Sequence, residues 1–381
     1  MKATFDKAAL LGAITPALGC VSAKNTYAAL EGIDLDCKDG KCVITSYDLE
    51  KGYRTEITCE VSEEGNYIIN AQKLCQIVRM MPGGFVNIEV NNKNVVRIYS
   101  GKSEFELHAI SGEDFPSLPE LRGNEGFSIQ QSVFKTMLAR IQFAIAQNSM
   151  RPELNGAYFK ISGTRITAVS CDGSRLALCE QSCEIENVTE SGDELDMEFV
   201  VPGKTLSELF KLVSDKEDRM IIKLARKHVI FFLDNVIYFS RLIENDYIDY
   251  ERFIPKNSKI FVNLDRDSFL EALERAILVT EDKSMGQVRS KLKCSFVGNL
   301  LTISSKSLSN KITDEVYTSK EGDDIEIGFN CRFLVDALRA CDFDKIRLSL
   351  TSPLMSMLIE PTETEDDSRF IFLVLPLKLS D

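Results

Sequence analysis

Hydrophobic residues follow two different periods along this chain. Six stretches carry apolar residues at every third or fourth position, which predicts helices over residues 5–20, 69–81, 130–146, 202–214, 264–280 and 328–341. Between them, apolar and polar residues alternate as in antiparallel strands, over Lys41–Asp48, Val86–Tyr99, Ala157–Leu178, Met220–Phe239, Lys293–Ser304 and Lys345–Ile359. With one helix for roughly four strands, we expect an α+β fold in which both helices of a domain pack on one face of antiparallel sheets.

The helical stretches belong to two sequence phrases, and each phrase occurs three times. The first phrase opens on Phe5, Phe127 and Phe261, and the second opens on Tyr67, Phe199 and Ile325. The spacings are 122 and 134 residues for the first phrase, and 132 and 126 for the second. Each is close to a third of the 381 residues, so the sequence predicts three similar domains in tandem.

Two segments rich in proline and glycine separate the predicted domains. One runs from Phe115 to Gly126 and the other from Ile254 to Ser258. We therefore expect domains over residues 1–122, 125–252 and 257–381, each of ordinary domain size.

Composition predicts a protein of the cytoplasm. Hydrophobic residues make up 44% of the chain and charged residues 27%, and no apolar run approaches the roughly 20 residues that span a membrane. The first residues lack the pattern of a signal peptide. Eleven cysteines are scattered without a C-x-x-C pair, so we expect reduced, mostly buried thiols and no metal or other cofactor.

The net charge of −13 is unevenly distributed. The six helical stretches together sum to +4, which leaves −17 for the rest of the chain. If the helices share one face, that face could meet phosphate groups while the remaining surface repels them.

Catalytic chemistry finds little support in the sequence. The chain has two histidines, His108 in an alternating strand and His228 at a turn, and both are expected to be structural. No nucleophile elbow, phosphate-binding loop or dinucleotide-binding motif occurs. An enzyme that uses a cysteine such as Cys171 stays open as an alternative, although no histidine lies near it in sequence. We expect a protein that is not an enzyme.

The sharpest local motif is AVSCDGSRLAL, over residues 168–178. Asp172 and Gly173 lie between two apolar alternations, which is typical of a tight hairpin turn. Arg175 and Leu176 follow the turn and place a cation beside an apolar position.

These features together resemble the sliding clamp of bacteria, the beta subunit of the replicative DNA polymerase III. The resemblance is carried by the triple repeat and, in collinear order from residue 1 to about 379, by Asp114–Pro116, Leu154–Gly156, Asp172–Leu176, Ile254–Asn257, Glu326–Asn330 and Leu375–Leu379. It implies a clamp fold that forms a ring: a head-to-tail homodimer whose helices line a hole through which duplex DNA passes without base readout.

The resemblance also implies sites, which we carry over residue by residue. The expected DNA contacts are Lys24, Gln72, Lys73, Arg79, Asn148, Arg151, Pro152, Glu153 and Lys204. Some relatives have arginine in place of Gln72 and two tyrosines in place of Pro152 and Glu153. The expected edge-strand contacts between the two copies are Phe105 and Leu107 from the first domain, and Ile277 and Leu278 from the third.

A second implied site is an apolar pocket for short peptides of the replicative polymerase, the clamp loader, other polymerases and repair factors. Its expected residues are Leu154, Cys171, Gly173, Ser174, Arg175, Leu176, Ile248, Phe253, Leu373, Leu375, Pro376 and Leu377. Arg175 is expected to supply a donor at the rim. Ser174 and Ile248 stand where some relatives have histidine and proline, so the preferred peptide motif could differ.

Two functions are therefore compared. The first is a processivity clamp that encircles DNA near the nucleoid and tethers the polymerase. The alternative is a scaffold with the same peptide pocket that does not encircle DNA, which the acidic net charge of −13 favours.

Overall fold

The chain forms two compact units. The computed structural model describes residues 1–22, 27–190, 192, 194–280, 291–307, 310–364 and 368–379. The first unit comprises Met1–Lys135, Ile185–Leu195 and Lys204–Leu242. The second comprises Thr136–Glu184, Asp196–Gly203 and Ile243–Asp381. Within the described ranges, no helix is both long and apolar enough to cross a membrane.

Each of the six predicted helices is present and somewhat shorter than its hydrophobic pattern. They are α1 (Lys7–Ala17), α2 (Ala71–Met80), α3 (Gln131–Ile141), α4 (Gly203–Leu212), α5 (Arg266–Thr280) and α6 (Cys331–Ala340). Side-chain caps fix several starts, because an oxygen at the N-cap satisfies an amide of the first turn. The Asp6 side chain accepts from the amide of Ala9 at 2.9 Å, and the Asn70 side chain accepts from the amide of Lys73 at 3.1 Å.

The strands account for most of the remaining chain. The first ten are β1 (Lys2–Asp6), β2 (Gly32–Lys38), β3 (Lys41–Tyr47), β4 (Lys51–Thr58), β5 (Glu60–Glu63), β6 (Gly65–Asn70), β7 (Phe85–Val90), β8 (Val95–Ser100), β9 (Ser103–His108) and β10 (Ile110–Ser111). The next nine are β11 (Glu125–Gln130), β12 (Gly156–Ser162), β13 (Arg165–Cys171), β14 (Arg175–Ser182), β15 (Glu186–Asn187), β16 (Asp196–Pro202), β17 (Arg219–Ala225), β18 (His228–Leu233) and β19 (Val236–Arg241). The last nine are β20 (Ile260–Asp265), β21 (Leu292–Val297), β22 (Leu300–Lys306), β23 (Lys311–Tyr317), β24 (Ser319–Glu321), β25 (Ile325–Phe329), β26 (Lys345–Leu350), β27 (Met357–Pro361) and β28 (Arg369–Val374).

The first unit contains two antiparallel sheets. One has the order β5-β1-β7-β8-β9, and the other has the order β10-β6-β2-β3-β4-β19-β18-β17-β11-β15. The longer sheet crosses a predicted domain boundary, because β4 pairs with β19 from Val236↔Thr55 to Ser240↔Lys51. Phe115 and Leu118 of the predicted linker pack against buried Phe239 of this sheet. Helix α1 packs on α2 and on β4.

The second unit also contains two antiparallel sheets. Their orders are β16-β12-β13-β14-β28-β27-β26-β20-β24 and β23-β22-β21-β25. Here β14 pairs with β28, with Leu176 opposite Leu373, and joins the second predicted domain to the third. Helix α5 packs on α6 and on β22 and β23. The sheets run through the repeat boundaries, which is why the compact units do not coincide with the repeats.

The α+β class predicted from the sequence is confirmed, with antiparallel pairing throughout the described strands. Turns in which Asn94, Gly163, Asp234 and Gly298 adopt positive φ separate neighbouring strands. The long alternating stretches break at turns: Ala157–Leu178, for example, takes in β12, β13 and the start of β14.

Candidate peptide pocket and nucleic-acid interface

An apolar cluster lies on one face of the nine-stranded sheet. Alternate residues of neighbouring strands share a face, which brings β13, β14, β27 and β28 side chains together. The buried members are Leu154, Val169, Cys171, Leu176, Leu178, Ile254, Leu358, Ile371 and Leu373. Partly buried Ala146, Tyr158, Tyr247, Ile248 and Tyr250 pack against them.

Five of the predicted pocket residues meet in this cluster. Leu154, Cys171, Leu176 and Leu373 are buried there, and Ile248 packs against them. The sequence reasoning missed Val169, Leu178, Ile254, Leu358, Ile371, Ala146 and the three tyrosines. The two-residue alternation could have found Val169 and Leu178, because they share a strand face with Cys171 and Leu176.

The three tyrosines form an aromatic wall beside the cluster. The rings of Tyr158 and Tyr247 stack with centroids 5.4 Å apart, and Tyr250 lies 6.1 Å from Tyr158. Burial raises the pKa of Tyr250 to about 12, so its hydroxyl is neutral at physiological pH. Burial likewise raises the pKa of the Cys171 thiol, which disfavours the thiolate that a nucleophile needs. The cluster itself consists of apolar side chains, tyrosines and a neutral thiol, and it is suited to apolar side chains.

Three exposed apolar residues expected in the pocket lie close in sequence to members of the cluster. Phe253, Leu375 and Leu377 are 56%, 44% and 39% exposed, respectively. The C-terminal segment that carries the two leucines is fixed by backbone hydrogen bonds, from the Leu375 amide to Ser174 and from the Leu377 amide to Gly328. A Cβ at Gly328 would lie 2.5 Å from the Leu377 carbonyl oxygen, so glycine permits this close approach.

The turn at Asp172 is held by its own side chain. Asp172 Oδ1 accepts from the amides of Ser174 and Arg175 at 2.9 and 3.0 Å, and Gly173 has a φ of +89°. This Asx geometry makes the tight turn that the sequence predicted.

The Arg175 side chain leaves the turn away from the apolar cluster, which differs from the expected rim donor. Its Nε donates to Asp172 at 2.9 Å and its Nη1 donates to Asp336 at 2.7 Å. The guanidinium lies over the rings of Phe333 and Phe143, at 4.6 and 5.4 Å. Successive strand residues point to opposite faces, so Leu176 in the cluster directs Arg175 to the other side.

The expected DNA contacts on the helices lie at the surface. Gln72, Lys73 and Arg79 are exposed on α2, and Lys204 is exposed on α4. Lys24 lies outside the described residues.

The remaining expected DNA contacts lie in one loop. Asn148 has a φ of +58°, which asparagine tolerates better than most residues. The Arg151 guanidinium is paired with Glu153 at 2.9 Å, so its charge is partly offset within the loop. Pro152 is exposed between them. The one cation of the loop is therefore paired within it, and residues 148–153 carry no net charge.

The residues expected between copies lie on accessible elements. Phe105 and Leu107 belong to β9, which forms one edge of the five-stranded sheet, and Phe105 is 45% exposed. On α5, Ile277 is partly buried and Leu278 is 76% exposed. Two large apolar side chains thus face solvent in the isolated chain.

Among the described residues, no group of histidine, cysteine, aspartate and glutamate is arranged to hold a metal ion. Burial lowers the pKa of His228, and His108 is exposed on β9. All eleven cysteines are free thiols, of which nine are buried.

The fold and the site define a binding protein built from tandem repeats. Family models described as the N-terminal, central and C-terminal domains of the DNA polymerase III beta subunit match residues 1–119, 128–249 and 251–376. Together they cover nearly the whole chain, which belongs to the DNA polymerase III beta subunit family. The three tandem clamp domains predicted from the repeats are thereby confirmed.

Individual relatives agree with this assignment. The chain is 28% identical to the "Beta sliding clamp" of Bacillus subtilis (strain 168), over 99% of this chain and 100% of that protein. A "Beta sliding clamp" of Staphylococcus epidermidis is 27% identical over 99% of both. Two solved structures are similar to this chain over 100% of this chain and 100% of their own. They are the DNA polymerase sliding clamp from Bacillus subtilis and a putative DNA polymerase III beta subunit from Eubacterium rectale. Their TM-scores are 0.90 and 0.89, at 27% and 26% identity.

Proposed function

We propose that this chain is a DNA sliding clamp whose two copies close head to tail into a ring around duplex DNA. Neighbouring repeats are joined by one pair of strands. Each strand of the pair is the last of three consecutive antiparallel strands in its own repeat. This occurs twice, as β4 with β19 and as β14 with β28. The observation that supports the ring is that two such strands remain, β9 and β23, each at the edge of its described sheet.

The same join between two copies would pair β9 of one with β23 of the other. Such a contact joins the first domain of one copy to the third domain of the other, so it is head to tail. Two copies form a closed ring when each uses both of its edge strands. Exposed Phe105 and Leu278 would be buried there. On β9, Glu104 is held by two hydrogen bonds of 2.7 Å from Arg97 on β8, which keeps the edge strand ordered.

A closed ring retains DNA by topology and needs few strong phosphate contacts. Among the described residues, the proposed contacts are exposed Lys73, Arg79 and Lys204 on the helices, with Gln72 beside them. Asn148, Arg151, Pro152 and Glu153 of the loop are proposed as further contacts. Weak, non-specific contacts allow sliding, whereas many ion pairs would hold the ring in place. The less acidic helices and the acidic remainder of the chain fit this arrangement.

The apolar cluster is the proposed docking site for short peptides. The exposed apolar side chains of Phe253, Leu375 and Leu377 are the proposed first contacts, and buried Leu176 and Leu373 with the aromatic wall form the apolar floor behind them. The partners we propose are the replicative polymerase, the clamp loader, other polymerases and repair factors. The proposed location is the cytoplasm, at the nucleoid where these partners act.

Solution mass tests the ring directly. The wild-type chain should have twice its monomer mass in light scattering. Phe105→Asp should give monomers, because it buries a charge against an apolar partner. Met150, which is 98% exposed in the Asn148–Glu153 loop, offers a matched control: Met150→Asp should remain dimeric. A wild-type monomer at micromolar concentration, or a dimeric Phe105→Asp variant, would argue against this pairing.

A further inference from the structure

Arg175 is enclosed by side chains from three separate segments, which we call the arginine cage: Asp172, Phe143, Phe333 and Asp336. Asp172 comes from the β13–β14 turn, Phe143 follows α3, and Phe333 and Asp336 belong to α6. The side chain of Arg175 is only 13% exposed. Both carboxylates accept hydrogen bonds from the guanidinium, which also lies over two aromatic rings, so it is held in position.

The cage and the apolar cluster share one stretch of backbone. In the pairing of β14 with β28, Arg175 lies opposite Val374, and the next residue, Leu176, lies opposite Leu373. Leu176 is 1% exposed within the cluster on the opposite face of the sheet. A shift of the Arg175 backbone would therefore move Leu176 and Leu373 together.

Asp172 connects the cage with the turn. Its Oδ1 accepts from the amides of Ser174 and Arg175, while its Oδ2 accepts from Arg175 Nε. The carbonyl of Ser174 in turn accepts from the amide of Leu375, which starts the exposed apolar border of the pocket. One guanidinium thus secures the turn and, through it, the C-terminal segment.

We propose that Arg175 is a positioning residue of the peptide pocket, which α6 holds through Phe333 and Asp336 so that the Asp172–Leu176 turn is already in its binding form. Arg175 itself does not contact the peptide. This inference rests on the proposed peptide-binding function. Neither Phe333 nor Asp336 belongs to the apolar cluster, so two residues of α6 outside the pocket set its affinity.

The proposal predicts a particular kinetic signature. If the turn is in its binding form only part of the time, apparent affinity falls in proportion to that fraction. The association rate constant then falls, while the dissociation rate constant of the formed complex stays the same. Loss of a direct contact does the opposite, because most contact mutations act on dissociation.

The test uses the full-length chain and a ten-residue peptide. The peptide is the strongest binder from an array tiled across the replicative polymerase subunit of the same organism. Asp336→Asn should slow association roughly three- to tenfold, the effect of one interaction between coupled neighbours. Phe333→Leu should act in the same direction. In an Arg175→Met background, Asp336→Asn should have no further effect, because its partner is gone.

Glu274→Gln is the matched control. Glu274 of α5 accepts a 2.7 Å hydrogen bond from Arg339 of α6, so this variant removes a carboxylate paired with arginine outside the cage. It should leave both rate constants unchanged. Equal effects of Asp336→Asn and Glu274→Gln would overturn the proposal, as would faster dissociation with unchanged association. If no tiled peptide or intact polymerase subunit binds the wild-type chain, the peptide-pocket function itself fails, which is a different result.

Discussion

Replacing Asp34 by asparagine should stabilise the first compact unit at neutral pH and abolish a pH dependence of its stability. Asp34 lies on β2 opposite Thr45 and Ile68, is 8% exposed, and its Oδ1 has no hydrogen-bond partner among the described residues. Burial, and then the neighbouring Asp36 carboxylate, raise the pKa of Asp34 from 3.8 to about 7, while Arg54 opposes the shift. The folded chain therefore holds a carboxyl group that resists ionisation.

The sign follows from the direction of this shift. A pKa raised in the folded state means that folding binds protons, so stability falls as pH rises between the two pKa values. A pKa raised from 3.8 to about 7 destabilises the folded state by about 4 kcal/mol at pH 8, and about 2 kcal/mol of this destabilisation is already present at pH 5. The wild-type unit should thus lose about 2–3 kcal/mol between pH 5 and pH 8, and Asp34→Asn should not.

Hydrogen exchange followed by mass spectrometry measures the stability of individual segments, which suits a chain with more than one unit. Opening free energies of peptides from β2 and β3, corrected for intrinsic exchange rates, are compared at pH 5 and pH 8. Asp36→Asn is a graded control, because removing the like charge lowers the pKa of Asp34 and should reduce the slope partially. Identical pH dependence in wild type and Asp34→Asn would refute the reasoning.

Two further predictions concern the second unit. Arg140 is 8% exposed, donates hydrogen bonds of 2.9 and 3.0 Å to Asp342 and lies 4.1 Å from the Phe370 ring. Asp342→Asn should therefore lower the free energy of unfolding in urea by about 1–3 kcal/mol. An unchanged denaturation midpoint would show that solvent replaces the pair. The double variant Leu176→Ala, Leu373→Ala should bind the tiled polymerase peptide at least tenfold more weakly in calorimetry. Light scattering should still show a dimer. Full affinity for the peptide would show that it binds elsewhere.

Apolar periodicity predicted the helices, and the recurring phrases predicted the three repeats. These features depend on local backbone preferences and on burial of one face, both of which are written in consecutive residues. The exposed positions of Lys73 and Arg79 on α2 follow in the same way from its apolar face.

The direction of Arg175 and the aromatic wall were not predicted. Alternation next to Leu176 could have given the direction, but the cage partner Asp336 lies 161 residues away in sequence. The stacking of Tyr158 on Tyr247 likewise depends on tertiary packing of a loop. Buried Asp34 has no sequence signal at all, because a polar residue in an alternating strand normally faces water.

Retention on circular DNA tests the ring most directly. The chain is loaded onto nicked circular duplex with the clamp loader of the same organism and ATP, and bound protein is separated from free protein by gel filtration. The ring predicts that bound protein survives high salt, because topology rather than ion pairing retains it, and that it is released when a restriction enzyme linearises the circle. Protein that leaves the intact circle in high salt, or that stays bound at the same level after linearisation, would contradict the account.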